Sequence, residues 1–176
     1  MNIKEYEDFY HVDISTQIDN KWKNDTVLGI VKGARRYSIK IKGNDKEIIK
    51  RRFISTENLN SARIHNRKVI AIIYSYLLYT AINNFKEAKP LLLCRDVRPE
   101  KFVITYLQRI SNLLGNKEAL NRTINFRKRK DRRDKKLPKS LAGKYVRKVY
   151  QGKIPVTNVL DNQEVNDLID LINKLL

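Results

Sequence analysis

Apolar residues first crowd together at Asp8 to Ile14, DFYHVDI, where aromatic and β-branched side chains predict a strand. Val27 to Lys32 and Tyr37 to Lys42 predict two more. In the latter, Tyr37, Ile39 and Ile41 alternate with Ser38, Lys40 and Lys42, a period of two with one wet face. Gly43-Asn44-Asp45-Lys46 reads as a turn, and Glu47 to Ile54 reads as the third strand of a meander. From Ser61 to Phe85 the pattern is that of a long helix. Its centre is apolar nearly all round, so it is expected to be covered on several sides.

The second half alternates short strands with helices. Pro90 precedes Leu91-Leu92-Leu93-Cys94, a continuous apolar run of the kind buried in the middle of a sheet. Pro99 opens a helix with Glu100 in its first turn, and Phe102, Val103, Tyr106, Leu107, Ile110, Leu113 and Leu114 keep helical spacing up to Gly115. Arg122 to Arg127 predicts the next strand, Pro138 to about Tyr150 a helix stopped by Gly152, and Asn162 to Leu175 a last amphipathic helix. The expected class is α/β, a mixed five-stranded sheet with helices on both faces and an added C-terminal helix. Residues 1–153 are expected to form one domain containing a basic segment over 122–153. Residues 154–176 supply a helix that packs on that domain or contacts a protein partner.

Composition narrows the function. The 176 residues carry 37 Lys or Arg against 19 Asp or Glu, a net charge of +18. Such a charge repels itself, and a folded chain that keeps it is expected to meet a polyanion, with nucleic acid first among the candidates. The charge is also unevenly placed: +12 between Arg122 and Lys153, −3 from Ile154 onward and about +9 elsewhere. One cysteine, Cys94, and two histidines, His11 and His65, leave no disulfide framework and no multi-cysteine zinc site. A reducing compartment follows, so an intracellular place (cytoplasmic or nucleoid-associated) is expected. The most apolar run, Val69 to Ile82, has 14 residues, too short for the roughly 20 that span a bilayer. No membrane partner is expected.

The succession of three antiparallel strands, helix, strand, helix, strand, helix resembles the ribonuclease H-like fold over roughly Asp8 to Tyr150. That resemblance implies a metal-dependent nuclease, in which acids on adjacent central strands hold two Mg²⁺ or Mn²⁺ ions about 4 Å apart. Asp13, in Val12-Asp13-Ile14-Ser15, looks like the first-strand acid of that family. Asp96, directly after the Leu91 to Cys94 run, stands where its second strand-borne acid would be. Glu57, just before the long helix, is a weaker third ligand. Each also has an ordinary reading: Asp13 on the solvated face of an edge strand, Asp96 bonding loop amides or pairing with Arg95 or Arg98, Glu57 as a helix N-terminal acid. The chain departs from the family pattern at Leu141-Ala142-Gly143-Lys144, where a further acid is expected on the helix. Asp161 and Asp167 are the remaining substitutes, without support from spacing.

The densest signal is cationic. Arg127, Lys128, Arg129, Lys130, Arg132, Arg133, Lys135 and Lys136 put eight positive charges in ten residues, which suits phosphate neutralisation with counterion release. On the helix that follows, Lys144, Arg147 and Lys148 stand at i, i+3 and i+4, on one face. Tyr145 and Tyr150 are candidates for stacking on bases or for packing. The block also fits a solvated loop or a localisation signal. No base-reading motif is present, so contact with the DNA or RNA phosphate backbone is expected. Cys94 reads as a core thiol, His65 as exposed, and His11 as sharing a side of its strand with Asp13. The expected function is a ribonuclease H-like nuclease acting through Asp13 and Asp96. The alternatives are a non-catalytic binding protein on the same fold, or an assembly protein tethered by its basic arm.

Overall fold

The computed structural model describes residues 8–15, 17–19, 22–85, 89–94, 99–115, 122–126 and 141–176. Its strands are Tyr10–Ser15 (β1), Thr26–Lys32 (β2), Arg35–Ile41 (β3), Leu91–Leu93 (β4), Ile124–Phe126 (β5) and Asn158–Val159 (β6). Its helices are Gly43–Phe53 (α1), Asn60–Ile82 (α2), Glu100–Leu113 (α3), Leu141–Tyr150 (α4) and Asn162–Leu175 (α5). The sheet runs β5-β4-β1-β2-β3-β6. β1, β2 and β3 form an antiparallel meander, while β4 lies parallel to β1, β5 to β4 and β6 to β3.

The pleat of β1 divides the molecule. Tyr10, Val12 and Ile14 join the main core, as do Leu28 and Ile30 of β2 and Tyr37, Ile39 and Ile41 of β3. Against that face lies α2, whose residues from Ala71 to Tyr79 are all buried. The sheet cannot cover a helix on every side, so α3 and α5 close over it with Val103, Tyr106, Leu107, Ile110, Leu168 and Ile172. The apolar face of α5 therefore lies inside this core. Its start is fixed by a capping box: Asp161 Oδ1 accepts from the Glu164 amide (2.8 Å), and the Asp161 amide donates to Glu164 Oε2 (2.9 Å). On the opposite face of the sheet, α4 is the only helix among the described residues, packed in a small cluster of Val27, Val31, Ala142, Tyr145, Val146 and Val149.

Three sequence expectations are corrected. Glu47 to Ile54 is not a strand, and Gly43-Asn44-Asp45-Lys46 is not a separate turn; both belong to α1. The inward stripe of that helix is Lys46, Ile49 and Phe53, and a lysine at its head hid the helical period. Among the described residues the sheet has six strands, not five. The sixth, β6, is two residues long and carries no pattern of its own; it is held by the backbone of β3, as in the bond from the Leu160 amide to the Lys40 carbonyl (2.9 Å). Finally, the polar side of β3 is not wet at Ser38, which is fully buried under α4 and residue 157.

α1 is anchored by two unusual contacts. Asp25 Oδ1 accepts from the Gly43 amide (3.0 Å), and a Cβ at Gly43 would run into the Lys23 carbonyl, so the chain passes too close there for any side chain. Lys46 is fully buried, with its Nζ donating to Thr26 Oγ1 (2.8 Å) and to the Ile18 carbonyl (3.3 Å), 6.0 Å from the centre of the Trp22 ring. One side chain thus ties α1 to β2 and to the β1–β2 connection.

Gly43→Ala is expected to lower stability by about 3 kcal/mol or more, because backbone must move to admit the methyl group. A urea titration within about 0.5 kcal/mol of the parent would show that the backbone gives easily at this point. Lys46 makes a second expectation. Burial lowers its pKa from the ordinary 10.5 to about 8, with Asp25 and Asp19 partly opposing the drop. Between those values the unfolded chain binds more protons than the folded one, so stability rises with pH across that window. Unfolding free energies of the parent minus those of Lys46→Met should climb from pH 8 to pH 10.5 and stay level below it. A difference that is flat throughout would place water around Nζ in the folded state.

Candidate nucleic-acid interface

The face covered by α4 collects the features that bear on function. α4 is amphipathic over ten residues: Ala142, Tyr145, Val146 and Val149 are buried, while Lys144, Arg147 and Lys148 are all exposed on the outward side. The inner side is locked by contact and by hydrogen bonds. A Cβ at Gly29 of β2 would meet Val146 Cγ2, with Tyr145 Cδ1 3.2 Å away, so the missing side chain is what lets α4 lie directly on the sheet. Tyr145 is buried, and its hydroxyl donates to Ser38 Oγ (3.1 Å). Ser38 in turn exchanges bonds with Thr157: the Ser38 amide donates to Thr157 Oγ1 (3.1 Å) and the Thr157 amide to Ser38 Oγ (3.0 Å). Tyr145 is therefore a packing residue and not a stacking platform for bases.

Positive charge on this side extends beyond α4. Arg36 of β3 is exposed, and its guanidinium lies 5.8 Å from the Tyr145 ring centre. Lys40, four residues along β3 and on the same side, pairs with Asp25 Oδ2 (3.1 Å) at the rim of a groove of about 520 Å³. Val27, Val149, Ile154, Pro155 and Val156 supply its apolar wall. The Asp25 carboxyl is held below its usual range: burial raises it, and the Gly43 amide and Lys40 together outweigh that. The alternation along β3 was visible in the sequence; that Arg36 and Lys40 share a face with α4 was not, because nothing local tells which side of a sheet a later helix will cover. Arg122, the first cation of the expected basic segment, is buried and donates to the Phe85 carbonyl (2.7 Å), so it serves the fold.

Asp13 lies on this face too. β1 is central and not an edge strand, and the alternation that buries Val12 and Ile14 in the main core puts His11, Asp13 and Ser15 on the α4 side. Asp13 is half-buried, sits opposite Gly29 of β2, and its Oδ1 accepts from the Ile14 amide (2.9 Å). The Ser15 hydroxyl is buried with no hydrogen-bond partner among the described residues. On the other side of β1, Val12 faces Leu93 of β4, and its carbonyl accepts from the Cys94 amide (3.1 Å). The chain leaves β4 beside the strand that carries Asp13. Asp96 itself, and the block Arg127, Lys128, Arg129, Lys130, Arg132, Arg133, Lys135 and Lys136, lie outside the described residues.

The other expected ligands do not converge on Asp13. Glu57 is exposed in the connection between α1 and α2, where its amide donates to Ser55 Oγ (3.2 Å). Asp161 caps α5 and Asp167 accepts from Gln163 (2.9 Å), and α5 packs on the opposite face of the sheet. Among the described residues no group of three His, Cys, Asp or Glu side chains could hold a metal ion. His65 is half-buried and not exposed, its Nε2 bonded to the Phe53 carbonyl (2.9 Å). Cys94 is half-buried against the main core, its Sγ 4.0 Å from the Tyr74 hydroxyl. Among the described residues no helix is long and apolar enough to cross a membrane. Comparison with family models, with curated proteins and with solved structures returns no match to this chain.

Because α4 rests on a glycine, Gly29→Ala is expected to push Val146 off the sheet and cost about 1–3 kcal/mol. Adding Val146→Ala makes room for the new methyl group and should recover half or more of that loss. Thermal melts of both variants check this. A double variant no better than the sum of its parts would mean that the two positions do not touch.

Proposed function

We propose that this chain binds nucleic acid through the phosphate backbone, using the outward face of α4 and the basic block that precedes it. The observation that carries the reading is the division of labour on α4: four residues hold the helix to the sheet, and Lys144, Arg147 and Lys148 are left pointing outward. Arg36 extends that charge across β3, and the block of eight cations enters α4 from its N-terminal side in the sequence. Flexible ammonium groups and guanidinium forks on a helix surface contact phosphates without reading bases, so weak sequence preference is expected.

A second reading, cleavage of phosphodiesters on a ribonuclease H-like fold, has its own support. The strand order β5-β4-β1-β2-β3, with β1 between an antiparallel β2 and a parallel β4, agrees with it. So does Asp13 on the central strand, one residue beyond the bond that joins β1 to the end of β4. Two Mg²⁺ or Mn²⁺ ions need several carboxylates, and Asp13 supplies only one, so this reading requires Asp96 beside it. The acid missing at Gly143 and the distance of α5 from this face favour binding over cleavage.

The test is affinity as a function of salt. Lys144→Ser/Arg147→Ser/Lys148→Ser should weaken binding to a labelled oligonucleotide and make log affinity against log salt shallower by about 2–3. Serine at four positions within Arg127 to Lys136 should flatten it by about 3. An unchanged slope in both variants would remove this face from the interface. For the second reading, the parent and Asp13→Asn are compared on single-stranded, double-stranded and hybrid substrates in Mn²⁺. Cleavage lost in Asp13→Asn with binding retained supports hydrolysis; a parent that binds and never cuts removes it.

A further inference from the structure

The junction of α1 and α2 carries a second positive surface, separate from α4. Lys50, Arg51 and Arg52 close α1, and Arg63, Arg67 and Lys68 stand on the first turns of α2. Over residues 50–68 these six are opposed by Glu57 alone. Eleven or more residues apart in sequence, the two groups are brought together by a set of hydrogen bonds. His65 Nε2 is bonded to the Phe53 carbonyl (2.9 Å), Asn66 Nδ2 donates to the Ser55 carbonyl (2.8 Å), and the Ser55 amide donates to Asn66 Oδ1 (2.9 Å). Asn66 thus clamps the connection like a template, and the cations are its outward product. Arg51 reaches Glu47 at 3.7 Å with its own side chain four-fifths exposed, a contact of little strength in water. Lys50, Arg67 and Lys68 have no anionic partner among the described residues.

The position of this surface gives it meaning. α2 runs antiparallel to β1 and β4. The ring of Phe85, just past its end, lies 4.7 Å from that of Tyr10 at the start of β1, tilted against it, whereas Tyr74 reaches Cys94 just past the end of β4. The helix continues toward its N-terminus beyond that point, and at 1.5 Å per residue Lys68 to Arg63 lie about 9–17 Å farther on. They therefore stand past the Tyr74–Cys94 contact, toward the C-terminal end of β4, the end at which ligands of open α/β sheets are held. Asp13 and Ser15 lie toward that same end of β1.

We infer that the α1–α2 junction is a second contact surface for nucleic acid, holding the phosphates of a strand that extends past the C-terminal ends of β1 and β4. Four of its six cations are arginines, whose planar forks suit phosphate oxygens better than a bilayer's diffuse charge. The inference rests on the binding function proposed above and adds to it a direction and a length: a strand held at the sheet end has further cations waiting along its path.

A ladder of labelled single-stranded oligonucleotides of increasing length, read by anisotropy, tests it. Three proteins are compared: the parent, Arg63→Ser/Arg67→Ser/Lys68→Ser, and the α4 triple variant. All substituted side chains on α2 are solvent-facing or half-exposed, and a second variant on the other helix, Lys50→Glu/Arg52→Glu, guards against a local effect on α2. Affinity of the parent should rise with length and then level off. Both junction variants should lose that rise for long oligonucleotides, with a salt slope shallower by about 2–3 for the triple variant, and keep the parent's affinity for the shortest ones. The α4 variant should instead weaken every length. Junction variants that bind all lengths like the parent, while the α4 variant does not, would overturn the inference and leave the binding function standing. A parent that binds no oligonucleotide would remove both. Vesicles of phosphatidylserine in phosphatidylcholine form a parallel arm. Junction variants that lose vesicle binding but no oligonucleotide binding would assign the surface to anionic lipid and overturn the inference.

Discussion

A stretch of helix with no wet side organises this protein. From Ala71 to Tyr79 every residue of α2 is buried, and each fully buried aliphatic side chain contributes on the order of 1.5–3 kcal/mol only while it stays dry. One sheet face covers less than half of a helix's circumference. The rest of the fold on that side is the remedy: α3 crosses α2, and α5 returns from the far end of the chain to close the gap. Even the polar residues in the stretch are accommodated, as Ser75 donates its hydroxyl to the Val103 carbonyl (3.1 Å) of α3. Burial also pushes the Tyr76 phenol well above its usual pKa, an effect reinforced by Glu164, Asp167 and Asp161 of α5.

The opposite face of the sheet has no such demand, and its layer is thin. Six buried side chains and one glycine contact hold α4 there, together with the Tyr145–Ser38–Thr157 hydrogen bonds. A buried hydroxyl that is fully bonded fixes orientation more than it adds stability. α4 is thus located accurately by few residues, which leaves its outer side unconstrained by packing. Nothing apolar is needed there, and the sequence fills it with cations. The pleat of β1 links the two layers, because the same alternation that sends Val12 and Ile14 to α2 sends Asp13 and Ser15 to α4.

Most of this was legible in the sequence, because most elements carry a strong period. β1, β2, β3, α2, α3 and α5 follow from alternation, from helical spacing and from Gly and Pro at their borders. α1 was misread for a physical reason: its inward stripe begins with Lys46, and a buried lysine looks like surface until its partners, Thr26 and the Ile18 carbonyl, are known. β6 could not be seen, since two residues bonded to the edge of β3 have no pattern. The site was legible only as a list of charged residues. That α4 carries Lys144, Arg147 and Lys148 on one side followed from spacing. That Glu57, Asp161 and Asp167 stand away from Asp13 depends on which face of the sheet each later helix takes, and local sequence does not encode that choice.

The two positive surfaces share a construction. Each sits where the core does not need apolar residues: on the outer side of a thinly held helix, and on the turns of α2 that precede its first continuously buried stretch. In water, two unit charges about 10 Å apart repel by only about 0.4 kcal/mol, so the fifteen pairs among six cations cost about 6 kcal/mol unscreened and about 2 kcal/mol at physiological salt. The main core, packed around α2, carries that cost with only the weak Arg51–Glu47 pair at the junction to help it. Repulsion of this kind is relieved when a polyanion binds, and a ligand that binds only the folded chain stabilises it in proportion to its occupancy. On the binding function proposed above, the charge that weakens the isolated fold is the same charge that would stabilise the bound one, and the thickness of the α2 core sets how much of it the chain can carry.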